Sequence, residues 1–347
     1  DPEWLERAVG PDDAMHLWRI AIDARDHLDR LIADHAITCD FTPGMFHVDH
    51  KRRFLPHTRA AVELLRTRYD YPHVDYVDGP ALSDMLGAKG YHGGMIDRRG
   101  GHLHPLNLAL GIARAAAAAG ASLHEHTRAT AIAPAGAGWR ITTPTGTITA
   151  DRVILAGNGY LGHLDDHVAA RVMPINNFIV ATEPLGARAA QVLARPIGVH
   201  DTKFVVNYWR LDPEGRLIFG GGENVSYRFP KDIAAKVRAP LLEIYPDLAD
   251  VRLTHAWGGT LAITMNRMPC FARPAPNCLS ASGYSGHGLA LATLAGKLMA
   301  QAVAGQAQGF EAMAALPSPP FPGGAALRWP LLVAGMGWYS LRDRLGF

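Results

Sequence analysis

The segment Gly-Tyr-Ser-Gly-His-Gly at positions 283–288 constrains the fold more than any other part of the chain. It follows a short apolar stretch at 279–281 and precedes apolar residues at helical spacing from 289 to about 303. A strand, a glycine turn and a long helix in this order predict an α/β unit. The start of such a helix offers free backbone N–H groups and a positive dipole end, which would stabilise a negatively charged ligand. The alternative is a tight turn that binds nothing.

The rest of the chain mixes helical and strand patterns. Helices are predicted at 12–35, around 62–65 and 82–86, from Pro105 to Gly120, and at 232–244. Strands are predicted at 122–132, 138–143, 147–150, 152–156, 177–182, 203–211, 216–220 and 251–257. We therefore expect a mixed α/β fold with a β-rich middle.

Composition limits the classes of partner. The 347 residues are 48% hydrophobic, and the net charge of +2 is spread along the chain, so no basic stripe indicates nucleic acid. No apolar run reaches the roughly 20 residues that a membrane helix needs. The three cysteines are too few for a disulfide framework and favour a reducing compartment. These features predict a cytoplasmic protein that acts on a small molecule.

A second glycine motif, GNGYLG at 157–162, matches the GxGxxG pattern. One interpretation is a primary dinucleotide fingerprint with Glu183 as the ribose acceptor. However, the motif follows a three-segment β meander, and Pro174 limits the helix after it. The other interpretation is a late strand of a nucleotide-binding domain, whose glycine lets the backbone approach a cofactor that is held elsewhere.

Two further groups of side chains are candidates for the site. His102 and His104 form an HxH pair that would suit a zinc hydrolase, although a catalytic zinc site needs three protein ligands. Packing or lining of an active site are the alternatives for this pair. Tyr208 and Trp209 point to opposite faces of a predicted strand, so one belongs to the core and the other is free to form a substrate wall.

The sequence resembles the D-amino-acid-oxidase-like flavoproteins over essentially its whole length. The motifs that carry the resemblance are GGHLHPLNLA at 100–109, ILAGNGYLG at 154–162, NRMP at 266–269, GYSGHG at 283–288, FPGG at 321–324 and YSLRDRLG at 339–346. The resemblance implies an incomplete FAD-binding Rossmann-like domain interleaved with a β-rich substrate domain. The implied segments are 1–98 (helical, substrate side), 99–165 (FAD), 166–268 (substrate), 269–310 (FAD) and 311–347 (tail).

The resemblance also implies the residues that contact FAD. It assigns Ala129 to the adenine and the Gly157 strand to the adenosine side, and it assigns GYSGHG to the isoalloxazine ring. The expected cofactor-binding residues are Ala129, Gly157, Asn158, Ser285, Gly286, His287 and Gly288. The flavin-linking cysteine of one branch has no counterpart near 257–264, so FAD is expected to be noncovalent, and no metal is expected.

The implied activity is oxidation of an amine C–N bond, in a gamma-glutamylputrescine-like polyamine derivative, with dioxygen reduced to hydrogen peroxide. Leu261 stands where the glycine oxidases of the family place a carboxylate-binding arginine, which favours an amine over a free α-amino acid. His102, Tyr208 and Trp209 are the expected substrate-side residues. A flavin dehydrogenase with another electron acceptor is the alternative within the same fold.

One departure from the family pattern concerns the diphosphate of FAD. Family members begin with a strand, a GxGxxG turn and a helix, whereas this sequence starts after that unit. We therefore expect a fragment that binds FAD weakly or not at all, and an inactive fold remnant is a further alternative.

Overall fold

The structure is a computed structural model that describes residues 2–224, 228–331 and 333–334. Its helices are α1 (Pro2–Val9), α2 (Pro11–Asp34), α3 (Leu55–Thr67), α4 (Gly79–Met85), α5 (Pro105–Ala118), α6 (Asp166–Ala169), α7 (Ala189–Val192), α8 (Ile233–Ile244), α9 (Gly288–Val303) and α10 (Gln308–Ala314). Its strands are β1 (Thr42–Val48), β2 (Val74–Asp78), β3 (Gly93–His102), β4 (Ala131–Ala135), β5 (Gly138–Thr143), β6 (Gly146–Ala150), β7 (Val153–Leu155), β8 (Met173–Pro184), β9 (Gly198–Asp201), β10 (Tyr208–Leu211), β11 (Arg216–Asn224), β12 (Leu253–Ile263), β13 (Cys270–Ala275) and β14 (Cys278–Ser282).

The largest sheet has eight strands in the order β12-β8-β11-β10-β9-β1-β3-β2. Its neighbours are antiparallel except for β1 and β9, which run parallel. Side chains alternate between the two faces of a strand, and one face of this sheet is apolar. That face forms a core with α8, and its buried aromatic residues include Phe46, Phe178, Trp209 and Phe219. In the middle of the sheet the opposite face carries the side chains of His47, His200 and Tyr208, and this part of the face forms the candidate site.

A smaller sheet of three strands, β13-β14-β7, holds the glycine turn. Strands β14 and β7 are parallel, and β14 leads through residues 283–287 into α9. Helices α2, α9 and α10 pack with this sheet in a second core, which contains Ala24, Leu279, Leu294 and Phe310. Strands β4, β5 and β6 form a separate antiparallel meander.

The helix boundaries follow ordinary capping chemistry. Pro11 begins α2, where a missing N–H costs nothing, and the side chain of Asp232 caps α8 by accepting from Ala235 N at 2.8 Å. His104 caps α5 in the same way, and Pro105 follows it at the first position. No described helix is long and apolar enough to cross a membrane.

The predicted mixed α/β class is confirmed, and the predicted helix at 12–35 corresponds closely to α2. The strand expected at 122–132 differs, because regular pairing begins only at Ala131. Residues 121–128 are exposed and pair with no described strand, so their N–H and C=O groups have no ladder that would define a strand. Strands β1, β2, β9 and β13 were not predicted, nor was the part of β3 before Gly100. The domain boundaries stay a prediction.

Candidate active site

The glycine turn has a backbone shape that few residue types allow. Gly283, Ser285 and Gly286 have φ values of 71°, 51° and 93°, all in the left-handed region. Ser285 N donates to Ala262 O of β12 at 2.9 Å, and His287 N donates to Tyr284 O at 3.0 Å. A Cβ at Gly283 would lie 2.6 Å from Thr264 Cγ2. The turn is therefore fixed against the end of β12.

The start of α9 fits the negatively charged edge of a reduced flavin ring. His287 precedes the helix and gives no side-chain cap, so the N–H groups of the first turn are open to a ligand. Space is also available, because a Cβ at Gly286 would meet nothing within 4 Å. The turn and the helix start thus supply donors, positive potential and room where the isoalloxazine is expected.

The motif GNGYLG supports the turn structurally. Gly157 precedes a three-residue 3-10 turn, Asn158–Tyr160, and no long helix follows. Asn158 Oδ1 accepts from Gly283 N at 3.0 Å, which joins the two glycine segments. A Cβ at Gly159 would lie 2.6 Å from Thr260 O. Gly159 therefore allows close packing against β12, which agrees with the interpretation of a late strand of a nucleotide domain.

The alternative of a primary dinucleotide fingerprint has no support in this geometry. Glu183, the ribose acceptor in that interpretation, ion-pairs with Arg252 at the surface, at 3.4 Å, and accepts from Arg252 N at 3.1 Å. The motif also lacks a helix whose N-terminus could hold a diphosphate. Strand β7 lies at the edge of its sheet, and Ile154 on it is 44% exposed. Of the two ends of FAD, the residues of the glycine turn and of the start of α9 fit the ring side.

The polar face of the large sheet lies opposite the glycine turn. Cross-strand pairing aligns Trp257 with Ile179, Ile179 with Gly220, Gly220 with Tyr208, Tyr208 with His200, and His200 with His47. The rings of His200 and His47 are 4.8 Å apart, and the rings of His200 and His287 are 6.3 Å apart. The turn before α9 therefore stands over the middle of this row.

Burial keeps the imidazoles of this face neutral at pH 7. It lowers the pKa of His200 to about 3, and a proton there would also be repelled by His47 and His287. Burial also lowers the pKa of His47, against the attraction of Asp49. The Asp49 side chain is fully buried and accepts from Thr58 Oγ1 at 2.7 Å, and its burial raises its pKa.

The structure separates Tyr208 from Trp209. The Tyr208 ring lies directly on Gly220, where any Cβ would overlap it, and its hydroxyl donates to Asn177 Oδ1. Trp209 is 2% exposed and packs in the core on Phe219, with a ring-centroid distance of 5.9 Å. Of the two aromatic candidates, Tyr208 is on the site face, and Trp209 is on the core face.

The two histidines of the HxH pair have different surroundings. His104 Nδ1 accepts from Asn107 N at 3.3 Å as the cap of α5. His102 ends β3 beside Gly198, and neither of its buried ring nitrogens has a hydrogen-bond partner. Burial, with help from the positive charge of Arg210, lowers the pKa of His102 to about 4. Within the described ranges no three His, Cys, Asp or Glu side chains are grouped as a metal site would require.

The remaining described motif residues lie in loops and turns. Ala129 is half-buried in the loop that leads into β4. In FPGG, Phe321 is buried and its N–H donates to Ala170 O at 2.8 Å. Asn266 of NRMP accepts from Met268 N at 3.1 Å and so shapes the turn before β13. The motif YSLRDRLG lies outside the described residues.

Three side chains of the site face were missed in the sequence, namely His47, His200 and Arg210. His47 lies between Phe46 and Val48, which are both fully buried, and His200 follows the buried Val199. That alternation of apolar and polar residues is the signal that could have placed both imidazoles on the open face of a strand. Nothing local distinguishes Arg210 from a surface arginine.

Comparisons with known proteins agree with this geometry. A family model described as FAD-dependent oxidoreductase (DAO) matches residues 3–302. A probable oxidoreductase, OrdL, of Rhizobium meliloti (strain 1021) is 42% identical over 339 residues, which cover 98% of this chain and 79% of that protein. The gamma-glutamylputrescine oxidoreductase of Escherichia coli (strain K12) is 35% identical over 348 residues, covering 100% of this chain and 81% of the relative.

Solved structures show the same fold at low identity. Glycine oxidase from Geobacillus kaustophilus superposes with a TM-score of 0.73 at 20% identity, over 87% of this chain and 83% of that one. L-proline dehydrogenase from P. horikoshii gives a TM-score of 0.70 at 17% identity, over 82% and 78%. With the family model spanning most of its length and two long relatives above 30% identity, the chain belongs to the FAD-dependent oxidoreductase family and is an enzyme whose cofactor is FAD.

Proposed function

We propose that this enzyme oxidises the C–N bond of a primary or secondary amine of the gamma-glutamylputrescine type. The amine carbon loses a hydride and the nitrogen loses a proton, which leaves an imine. Water then hydrolyses the imine to an aldehyde and an amine or ammonia. Dioxygen takes up the two electrons and two protons and leaves as hydrogen peroxide. The relative from Escherichia coli named for gamma-glutamylputrescine supports this substrate class.

The observation that carries the proposal is the row of neutral imidazoles facing the glycine turn. An amine must lose its ammonium proton before the adjacent carbon can give up a hydride. His47 and His200 are uncharged at pH 7, so they do not repel an incoming cation, and the burial that lowers their pKa would also favour the neutral form of a bound amine. FAD, when bound, supplies the hydride acceptor, while the protein orients and desolvates the amine.

We assign the substrate side to His102 and Tyr208, together with His47 and His200. Tyr208 lies flat on Gly220 and next to His200, where it would form an aromatic wall for an alkyl amine. Trp209 is left out of this assignment because its indole lies in the core. The ring-side cofactor contacts are Ser285, Gly286, His287 and Gly288, and Ala129, Gly157 and Asn158 are proposed for the adenosine side.

A noncovalent flavin is consistent with the cysteines. Cys39, Cys270 and Cys278 are free thiols and all three are buried. Burial raises the pKa of Cys278 to about 11 and also raises the pKa of Cys270 and of Cys39. Such thiols stay protonated at pH 7 and are poor nucleophiles toward a flavin. Free thiols also agree with the predicted cytoplasmic location.

The proposal is tested by anaerobic reduction of the flavin. The purified, FAD-loaded protein is mixed with gamma-glutamylputrescine without oxygen, and the visible absorbance of the oxidised flavin is followed, because the cofactor carries the redox chemistry. We expect bleaching, and then recovery with stoichiometric hydrogen peroxide when air is admitted. An unchanged spectrum with this amine and with putrescine would contradict an amine substrate.

The second candidate is a dehydrogenase that passes electrons to a carrier other than oxygen. Its support is the fold shared with L-proline dehydrogenase, which superposes about as well as glycine oxidase. Bleaching by the amine with no recovery in air, but recovery with an artificial quinone, would favour this candidate. The two candidates differ only in the second half of the reaction.

A further inference from the structure

Arg210 on β10 is a half-buried cation with few partners. Its guanidinium has five N–H donors, yet it makes one long hydrogen bond, from Nη1 to Leu211 O at 3.5 Å. In the described part of the chain no carboxylate lies within ion-pair distance of it. Asp212 and Asp40 attract it from farther away, while burial lowers its pKa. A half-buried guanidinium with so few partners would bind an anionic ligand favourably.

Of the two carboxylates that attract Arg210, that of Asp212 is already in use. Asp212 Oδ1 accepts from Arg216 N at 2.8 Å and from Glu214 N at 3.0 Å, and these bonds form the turn between β10 and β11. Asp212 therefore cannot swing to Arg210 without breaking the turn. The charge of Arg210 remains available to a ligand.

Arg210 points to the site face. It is two residues from Tyr208 along β10 and hence on the same side of the sheet, opposite to Trp209. The register that pairs Tyr208 with His200 continues to place Arg210 opposite Gly198. His102 stands over Gly198, with its Cδ2 atom 3.2 Å from the position of a Cβ there. Arg210 and His102 thus border the same part of the face.

His102 adds a donor to this position. Both of its ring nitrogens are buried and lack hydrogen-bond partners, which is costly for a polar group inside a protein. A neutral imidazole carries one N–H. A carboxylate bound to the guanidinium would accept that N–H with one oxygen and so give each of the two side chains a hydrogen-bond partner.

We propose that Arg210 and His102 form a subsite for a carboxylate of the substrate, remote from the amine that is oxidised. The inference rests on the proposed function and names its substrate class more closely. Residues two apart in a strand are separated by about 7 Å. Tyr208 and His200 mark the amine end near His287, so the carboxylate lies about one such step away.

This spacing selects among acids. A single carbon separates the amine from the carboxylate in an α-amino acid, which is too short to span the step from Tyr208 to Arg210. A gamma-glutamylated amine or an ω-amino acid has several bonds between the two groups and can span it. Leu261, near the turn, offers no charge to the carboxylate of an α-amino acid. Arg210, farther away, offers one to the carboxylate of a longer acid, so together the two residues favour longer acids.

The kinetic test compares two amines that differ only in the carboxylate. Gamma-glutamylputrescine and its decarboxylated analogue, 4-aminobutanoyl-putrescine, are assayed with the wild-type enzyme and with Arg210→Met and Arg210→Lys. We expect Arg210→Met to lose roughly 10- to 100-fold more kcat/KM for the acid than for the analogue, mainly through KM, because a charge-assisted hydrogen bond is removed. Arg210→Lys should recover part of this preference.

A matched control is Arg252→Met, which removes an exposed arginine that pairs with Glu183 at the far end of β8. It should leave the preference between the two amines unchanged. Equal losses for both amines in Arg210→Met, loss of FAD from that variant, or an unchanged preference would each overturn the proposal. Unfolding curves show whether Arg210→Met is folded, and if it is not, Arg210→Lys and His102→Gln provide the comparison.

A binding measurement separates this proposal from the proposed function. Titration calorimetry with glutarate, which cannot be oxidised, measures the subsite without any turnover. Glutarate should bind the wild-type protein and bind Arg210→Met at least about 10-fold more weakly. If neither amine reduces the flavin but glutarate binding depends on Arg210, the function fails and the subsite stands. If the amine is oxidised but glutarate binds the wild type and Arg210→Met equally well, only the subsite proposal is contradicted.

Discussion

The two faces of the eight-stranded sheet differ in almost every property, although the same strands build both. Phe46, Phe178 and Phe219 on one face are fully buried and pack with α8. His47, His200 and Tyr208 on the other face are half-buried and lie opposite the glycine turn. Because successive residues of a strand alternate, neighbouring positions belong to different functions. Stability should therefore respond to one set of positions and catalysis to the other.

The strongest test of this division is Trp209→Ala. The indole is buried among Phe219, Tyr91 and Tyr245, so its removal should lower the free energy of unfolding by about 3–5 kcal/mol. Urea unfolding followed by circular dichroism measures the loss. A change under about 1 kcal/mol would mean that Trp209 does not belong to the core.

A smaller loss is expected from Gly283→Ala in the turn that faces the sheet. Alanine is strained at a φ of 71°, and its Cβ would lie 2.6 Å from Thr264 Cγ2. We expect about 2–3 kcal/mol of destabilisation and a weaker affinity for FAD, measured by flavin fluorescence during titration. Gly296→Ala in α9 is the control, since an alanine there meets no atom within 4 Å and replaces a helical glycine. Equal FAD affinity in both variants would refute the role of the turn.

The site face should also make stability depend on pH. The pKa of His102 is lowered by burial from 6.5 to about 4, so the unfolded chain takes up a proton before the folded protein does. Its contribution is complete above pH 6.5 and is lost as the pH falls toward 4, by about 2 kcal/mol at pH 5. Unfolding at pH 7 and pH 5 should show a smaller decrease for His102→Gln than for the wild type. His200 and His47 add losses of the same sign in both proteins, so the variant should still lose some stability at pH 5. An identical decrease in the free energy of unfolding of the variant and the wild type is the contrary result.

The smallest effect on stability is expected for Tyr208→Phe, the neighbour of Trp209. The change removes the hydrogen bond to Asn177 Oδ1 but keeps the ring on Gly220, so the free energy of unfolding should decrease by about 1 kcal/mol or less. The rate of flavin reduction by the amine should decrease, because the hydroxyl lies on the substrate side in the proposed function. A stability loss as large as that of Trp209→Ala would show that the two faces are not distinct.

Local patterns in the sequence were enough for much of the fold. The long periodic helix α2 and the strand, turn and helix around Gly283–Gly288 were predicted correctly, because each is determined by neighbouring residues. Strand β1 was missed, since Pro43 and Gly44 interrupt its pattern and its pairing with β3 is irregular there. Whether a stretch becomes a strand depends on its partners, which a local pattern does not contain.

The candidate site was harder to predict for the same reason. Motif matching found the glycine turn that we propose for the ring side of FAD, and Tyr208 and His102 were chosen from isolated signals. The neutrality of His47 and His200 comes from burial beside each other and beside His287, which only the folded sheet creates. Arg210 became a candidate only when the structure showed how few partners it has.

The parallel pairing of β1 and β9 has a consequence for how the enzyme folds. His50, just after β1, hydrogen-bonds through Nδ1 to Thr202 Oγ1, just after β9, at 2.8 Å and 152 residues away in sequence. Closing so long a loop is slow, because chain entropy is lost before the contacts form. During synthesis more than a hundred residues must be added after His47 before His200 can lie beside it. Catalytic competence should therefore appear late, after secondary structure, and refolding assays should detect helix content well before amine-dependent flavin reduction.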